Sequence, residues 1–115
     1  MTFLTPPVPA GLRLLLRDHP DHIERVQASL SSAVSKSYLA TPMLEVLLWS
    51  LEDIMNAFVF EAKDELDMAV AAGDVDAVEA ARAKELLMCN AAWKDNWLGD
   101  AELMDFVRHH GNAAI

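Results

Sequence analysis

The longest stretch of this sequence without a proline or a glycine is the thirty residues between Pro42 and Gly73. Its apolar residues recur every three or four positions, as one face of an α-helix requires. They are Leu44, Leu48, Leu51, Met55, Phe58, Ala62, Leu66 and Ala69, and Leu47, Ile54, Val59 and Phe60 widen the face. We therefore predict one long helix over 42–71, apolar around most of its first half and covered there by other helices or by a partner.

Helix start and stop signals divide the rest of the chain. Pro20 suits a first helical turn, and Gly73 followed by Asp74 suits a helix end and the next N-cap, as does Gly99 followed by Asp100. These signals predict further helices over about 9–17, 20–35, 75–98 and 101–110. The predicted fold is all-α, a small bundle of four to five helices with a long central antiparallel helical hairpin of 42–71 and 75–98. One domain, 1–115, is expected, with an irregular segment 1–8.

The predicted 75–98 helix has an apolar face of its own. It carries Val75, Val78, Leu86, Cys89, Trp93 and Trp97, which we expect to lie in the core. Because Cys89 is the only cysteine, an internal disulfide is excluded. Trp49 lies off the main stripe of the long helix, so we expect it to be partly exposed and to serve as an aromatic anchor for a partner.

Two further patterns bear on location. The apolar run 43–60 is long enough to cross a membrane, but it contains Glu45, Glu52 and Asp53, which are costly at mid-membrane depth. The N-terminus lacks a basic region and is interrupted by prolines, which does not fit a signal peptide. We therefore expect a soluble, cytoplasmic protein without membrane contact.

The most chemically crowded segment is "RDHPDHIER", residues 17–25. Pro20 splits His19 from His22, since the residue before a proline is disfavoured in a helix. Asp21 and Glu24 suit the positive end of a helix dipole, so the segment is interpreted as a helix start. His109 and His110 point about 100° apart on a helix and suit a helix end. We expect no metal, no cofactor and no catalytic residues, because no spacing matches a zinc, nucleophile or phosphate-binding pattern.

Charge gives the main indication of function. The net charge is −9, with +1 on residues 1–41 and −10 on residues 42–115. Such a surface repels nucleic acid and attracts a basic protein. The acidic residues that we expect to bind this partner cluster around the hairpin turn: Glu61, Asp64, Glu65, Asp67, Asp74, Asp76 and Glu79.

Two functions remain open at this point. The first is a small, non-enzymatic inhibitor, such as an immunity protein or antitoxin, that neutralises a basic partner such as a nuclease-type toxin. The second is a structural or adaptor bundle that self-associates, as a homodimer for example, through the wide apolar face of residues 43–60. In the second case the acidic residues serve solubility alone.

Overall fold

The computed structural model describes residues 6–36 and 42–110, which form α-helices, one short 3-10 helix and no strand. In chain order the elements are α1 (Ala10–Leu15), α2 (Pro20–Lys36), α3 (Met43–Ala72), α4 (Val75–Ala91), a 3-10 helix (Lys94–Asn96) and α5 (Ala101–His110). The predicted all-α bundle with a central α3–α4 hairpin is confirmed. Of the predicted irregular segment 1–8, residues 1–5 lie outside the described residues, and 6–8 precede α1 without helical structure.

The helix boundaries follow local chemistry. The carbonyl of His19 accepts hydrogen bonds from the amides of His22 and Ile23, so α2 begins at Pro20 as predicted. Gly73 ends α3 with φ at 70°, a left-handed conformation that glycine adopts without a Cβ clash. The Asp74 side chain then caps α4 by accepting a hydrogen bond from the amide of Ala77 at 3.1 Å. The tight turn makes α3 and α4 antiparallel.

One hydrophobic core lies between the helices. α2 and α4 both pack on α3, α5 also contacts α3, and α1 contacts α4 and the 3-10 helix. The predicted stripe of α3 is confirmed where it meets these neighbours, since Leu51, Met55, Phe58 and Ala62 are all buried. The wide apolar face of 43–60 is thus mostly covered within the chain.

The predicted helix 75–98 is too long, because α4 ends at Ala91. Trp93 takes an extended conformation, and the Asn96 side-chain amide donates to the Asn90 carbonyl at 2.5 Å, where a continuing helix would place a backbone amide. The 3-10 helix that follows packs so closely on α1 that a Cβ on Gly11 would overlap the Asn96 carbonyl oxygen. A contact between distant segments therefore accompanies the early end of α4.

The predicted core face of α4 is also wrong. Val75, Leu86 and Trp93 are exposed, Val78 and Cys89 are half-buried, and Trp97 is buried but lies beyond the helix. The face that meets α3 carries small residues and a lysine stem: Ala77, Ala81, Lys84, Met88 and Ala91. The larger apolar residues Val75 and Leu86 lie on the opposite side of α4 and are exposed.

The outer part of the hairpin stands away from the core. No residue from Lys63 to Leu87 is buried, whereas Ala62 and Met88 on either side of this segment are. The molecule is accordingly elongated, with extents of 56 × 25 × 22 Å. We call residues 63–87 the distal hairpin.

Candidate functional site

The seven predicted partner-binding carboxylates lie on or beside the distal hairpin, but they do not act as one group. Glu61 pairs with α2. Its two carboxylate oxygens each accept a hydrogen bond from the Arg25 guanidinium at 2.7 Å. This bidentate contact lowers the pKa of the Glu61 carboxyl, since the ionised form is the better acceptor. Glu61 therefore joins α2 to α3, and its carboxylate is already engaged by a residue of the same chain.

Arg25 and Glu61 belong to a larger cluster that "RDHPDHIER" supplies from α2. The Arg25 guanidinium lies over the ring of the buried Phe58, 4.8 Å from its centroid, and the His22 ring lies 4.5 Å from the same ring. His19 and His22 meet edge to face at 5.4 Å. Partial burial lowers the pKa of His22, and the nearby Lys84, His19 and Arg25 lower it further. The segment predicted to be mainly a helix start also holds α2 against α3.

Two more of the predicted carboxylates have structural partners. Glu65 accepts a hydrogen bond from Lys84 at 3.0 Å and so joins α3 to α4. Asp74 caps α4, as described above. The other four, Asp64, Asp67, Asp76 and Glu79, are exposed and form no ion pair with any described residue.

Asp64 and Asp67 lie on the side of α3 opposite the core. Continuing toward the start of the helix at steps of three or four residues gives a set that shares this side: Trp49, Asp53, Asn56, Phe60, Asp64 and Asp67. All six are exposed, and at 1.5 Å per residue the set is about 27 Å long. We call it the outer stripe.

The outer stripe combines apolar and anionic groups. Trp49 is 58% exposed and Phe60 is 80% exposed. They are eleven positions apart, which is close to three helical turns and places both rings on the same side of α3. Three aspartates lie between and beyond the two rings, and the stripe contains no cation. A surface of this kind can bind apolar and cationic side chains of a partner at the same time.

Charge around the stripe has the same sign. The distal hairpin, residues 63–87, contains seven carboxylates and three basic residues, a net charge of −4. Two of the three basic residues lie on α4, and one of these, Lys84, is engaged by Glu65. The distal hairpin therefore extends the negative potential of the stripe away from the core.

The sequence prediction found part of this surface. Trp49 is partly exposed as predicted, and Asp64 and Asp67 are available to a partner. The sequence analysis did not single out Asp53 as a candidate, and Phe60, which was expected to widen the apolar face, is exposed. The signal that identifies both is the continuous spacing of four, three, four, four and three residues from Trp49 to Asp67.

A second exposed apolar surface lies on α4. Val75 and Leu86 are eleven positions apart, the spacing of one helical face, and both are exposed. Trp93, which is also exposed, follows the end of α4 in an extended conformation. Glu79 and Arg82 lie between Val75 and Leu86. We call this set the α4 outer face.

Within residues 6–36 and 42–110, no set of three or more histidine, cysteine, aspartate or glutamate side chains is placed to hold a metal ion. No described helix is long and apolar enough to span a bilayer. Comparison with protein-family models, with curated proteins and with solved structures gave no match for this chain. The geometry of the outer stripe is therefore the basis for a functional proposal.

Proposed function

We propose that this protein is a non-catalytic inhibitor of the immunity or antitoxin type, which binds a basic protein such as a nuclease-type toxin through the outer stripe of α3. The observation that carries the proposal is the stripe itself, in which two exposed aromatic rings and three unpaired aspartates share one helix face. The partner would contribute cations and apolar side chains in complementary positions. No cofactor takes part.

The aromatic residues supply the affinity in this proposal. Tryptophan is enriched among the few interface residues that dominate binding energy. Covering the exposed Trp49 and Phe60 rings would therefore contribute most of the binding free energy. The aspartates supply steering and selectivity, because a nuclease binds phosphate with a positive surface that a row of carboxylates can occupy. The same carboxylates disfavour direct binding of nucleic acid by this chain.

The stripe is also independent of the contacts that hold the fold together. Glu61 and Glu65 are engaged by Arg25 and Lys84, whereas Asp64 and Asp67 have no such role. A partner can therefore engage Asp64 and Asp67 without breaking an interhelical ion pair. A toxin that acts inside the cell would require the inhibitor there, so the proposal includes a cytoplasmic location, with which the single Cys89 is compatible.

The test is capture of the partner from the host by the full chain, followed by assay of the captured protein. Asp64→Lys combined with Asp67→Lys changes the charge by +4 on the stripe. Glu24→Lys combined with Asp95→Lys makes the same change at exposed carboxylates elsewhere. We expect the native chain and the control to capture a basic protein whose nuclease activity the native chain inhibits at equimolar ratio, and the stripe variant to lose capture.

Salt provides an independent measurement on the same complex. Because charges that are partly exposed are screened by salt, association should slow several-fold between 50 and 300 mM NaCl, roughly the range over which the Debye length falls below 10 Å. Equal capture by the stripe variant and its control, or capture of an acidic protein only, would show that the proposal is wrong.

A second function is favoured by the α4 outer face. Val75, Leu86 and Trp93 would be covered if two copies paired through α4, which makes self-association the alternative to inhibition. The interface would then lie on α4 and not on residues 43–60, whose apolar side chains mostly pack inside the chain. Sedimentation at micromolar concentration distinguishes the two: a dimer that resists salt and dissociates on Leu86→Glu supports self-association, and a monomer opposes it.

A further inference from the structure

An open groove lies between α2 and α3 at the Trp49 end of the outer stripe. Its volume is about 340 Å³ and its walls are formed by Ser29, Ser32, Ala33, Val46, Trp49, Ser50 and Asp53. The volume is at the lower end of the range for small-molecule sites and can accommodate one long side chain.

The groove has a single charged wall residue, Asp53. Its carboxylate is exposed and forms no ion pair with any described residue. Trp49 precedes it by four positions on α3, which places the two side chains next to each other on one helix face. An electron-rich indole beside an unpaired carboxylate attracts a cation and repels an anion.

Hydroxyl groups from both α2 and α3 line the groove. The Oγ atoms of Ser29 and Ser50 lie 2.6 Å apart, so one hydroxyl donates to the other across the α2–α3 boundary. Each hydroxyl oxygen has two lone pairs, and this contact uses only one of the four, so acceptors remain for a further donor. Ser32 adds an exposed hydroxyl on α2. The polar wall is therefore rich in acceptors.

We infer that this groove binds the guanidinium group of an arginine side chain. The guanidinium plane stacks on the Trp49 indole, its N–H groups donate to the Asp53 carboxylate and to serine oxygens, and the aliphatic stem lies along Ala33 and Val46. A planar donor with five N–H groups fits this combination better than a lysine ammonium, which cannot stack in a plane.

The residues of the groove favour a guanidinium group whether or not the proposed function is correct. Only the source of that group, a side chain of the basic partner, rests on the proposed function. Trp49 and Asp53 belong both to the groove and to the outer stripe. An arginine held in the groove would therefore fix the end of a partner segment whose other cations reach Asp64 and Asp67, about 16–27 Å along α3.

The experiment is a titration of the full, isotopically labelled chain with N-acetyl-arginine-N-methylamide, followed by amide and indole NMR shifts. We expect saturable shifts at the Trp49 indole N–H and at the amides of Ser29 and Ser50. The citrulline counterpart, which keeps the shape and loses the charge, should give at least about tenfold weaker binding, because charge-assisted hydrogen bonds are the stronger ones. The lysine counterpart should bind more weakly than the arginine compound.

Three variants locate the site. Asp53→Asn and Trp49→Leu should each weaken binding of the arginine compound by about tenfold or more. Glu52→Gln removes the same charge from the neighbouring position, which does not line the groove, and should leave the shifts unchanged. The inference is overturned if the compound causes no shift, if citrulline binds equally, or if Glu52→Gln weakens binding as much as Asp53→Asn.

Two further arms separate the source of the ligand from the chemistry of the groove. Methylguanidine that binds as well as the arginine compound supports a free guanidinium ligand, and binding by arginine-containing peptides alone supports a protein segment. If partner capture depends on Asp64 and Asp67 but the arginine compound causes no shift at Trp49, the proposed function is left intact and the inference about the groove is overturned. Shifts caused by the arginine compound, with no partner captured, would support the groove as a guanidinium site and overturn the proposed function.

Discussion

The contribution of the Arg25–Glu61 ion pair to stability can be compared with that of the neighbouring contact between Arg25 and Phe58. Both side chains are about half exposed, at 42% and 49%, so the ion pair alone contributes at most about 1 kcal/mol to the free energy of unfolding. Arg25 also lies 4.8 Å from the centroid of the Phe58 ring, and such a cation–π contact adds about 0.5–1 kcal/mol. We therefore expect Arg25→Met to lower the free energy of unfolding by about 1–2 kcal/mol.

The same reasoning predicts a smaller loss of stability when Glu61, the other member of the ion pair, is changed. Glu61→Gln removes the ion pair and leaves the Arg25–Phe58 contact, so the expected loss is about 0.5–1 kcal/mol. The double variant should show a coupling of similar size, measured by urea unfolding at pH 7. In 1 M salt the coupling should shrink toward zero, because screening acts on half-exposed charges, while the excess cost of Arg25→Met should persist.

The Arg13–Glu102 pair is the matched control. It has nearly the same exposure, at 47% and 53%, and a 2.6 Å contact, but no aromatic ring contacts Arg13 among the described residues. Arg13→Met and Glu102→Gln should therefore cost about the same as each other, each below about 1 kcal/mol. If Arg25→Met cost no more than Glu61→Gln, the role assigned to the Phe58 contact would be refuted.

Three further predictions follow from single contacts. The pKa of His22 is lowered below its usual 6.5, so the unfolded chain binds more protons than the folded chain as the pH falls through 6.5. Stability should therefore decrease with falling pH until the folded pKa is passed. His22→Gln should flatten this decrease in urea unfolding. Gly11→Ala should lower stability by about 1–3 kcal/mol in thermal unfolding despite alanine's helix propensity, because its Cβ overlaps the Asn96 carbonyl. Asp74→Ala should cost about 1 kcal/mol through loss of the cap, whereas Asp64→Ala, exposed in mid-helix, should stay within about 0.5 kcal/mol of the native chain.

The parts of the fold that the sequence predicted correctly depend on neighbouring residues. Gly73 and Asp74 end one helix and cap the next through contacts within three residues, and Pro20 starts α2 through its own ring. The apolar stripe of α3 was also readable, because its spacing is regular over more than twenty residues. Local rules of this kind do not require knowledge of what lies on the other side of a helix.

The errors on α4 arose from contacts between distant segments. The face that carries Val75 and Leu86 was predicted to be buried, but the less exposed side of α4 carries alanines, Lys84 and Met88. The end at Ala91 accompanies the packing of α1 on the 3-10 helix, some eighty residues apart in sequence. The ion pairs of Glu61 and Glu65 likewise require α2 and α4 to be in place, so sequence alone could not separate them from the free carboxylates.

Under the proposed function, that separation predicts that stability and partner binding depend on different carboxylates. Glu61 and Glu65 face neighbouring helices and are held by cations, and Asp64 and Asp67 face solvent on the same helix within six residues. A change at Asp64 or Asp67 should therefore alter partner binding with little change in unfolding, and a change at Glu61 should do the reverse. If the carboxylates of the outer stripe served solubility alone, changes at Asp64 or Asp67 would leave partner binding unaltered, whereas the unfolding cost of Glu61→Gln would remain.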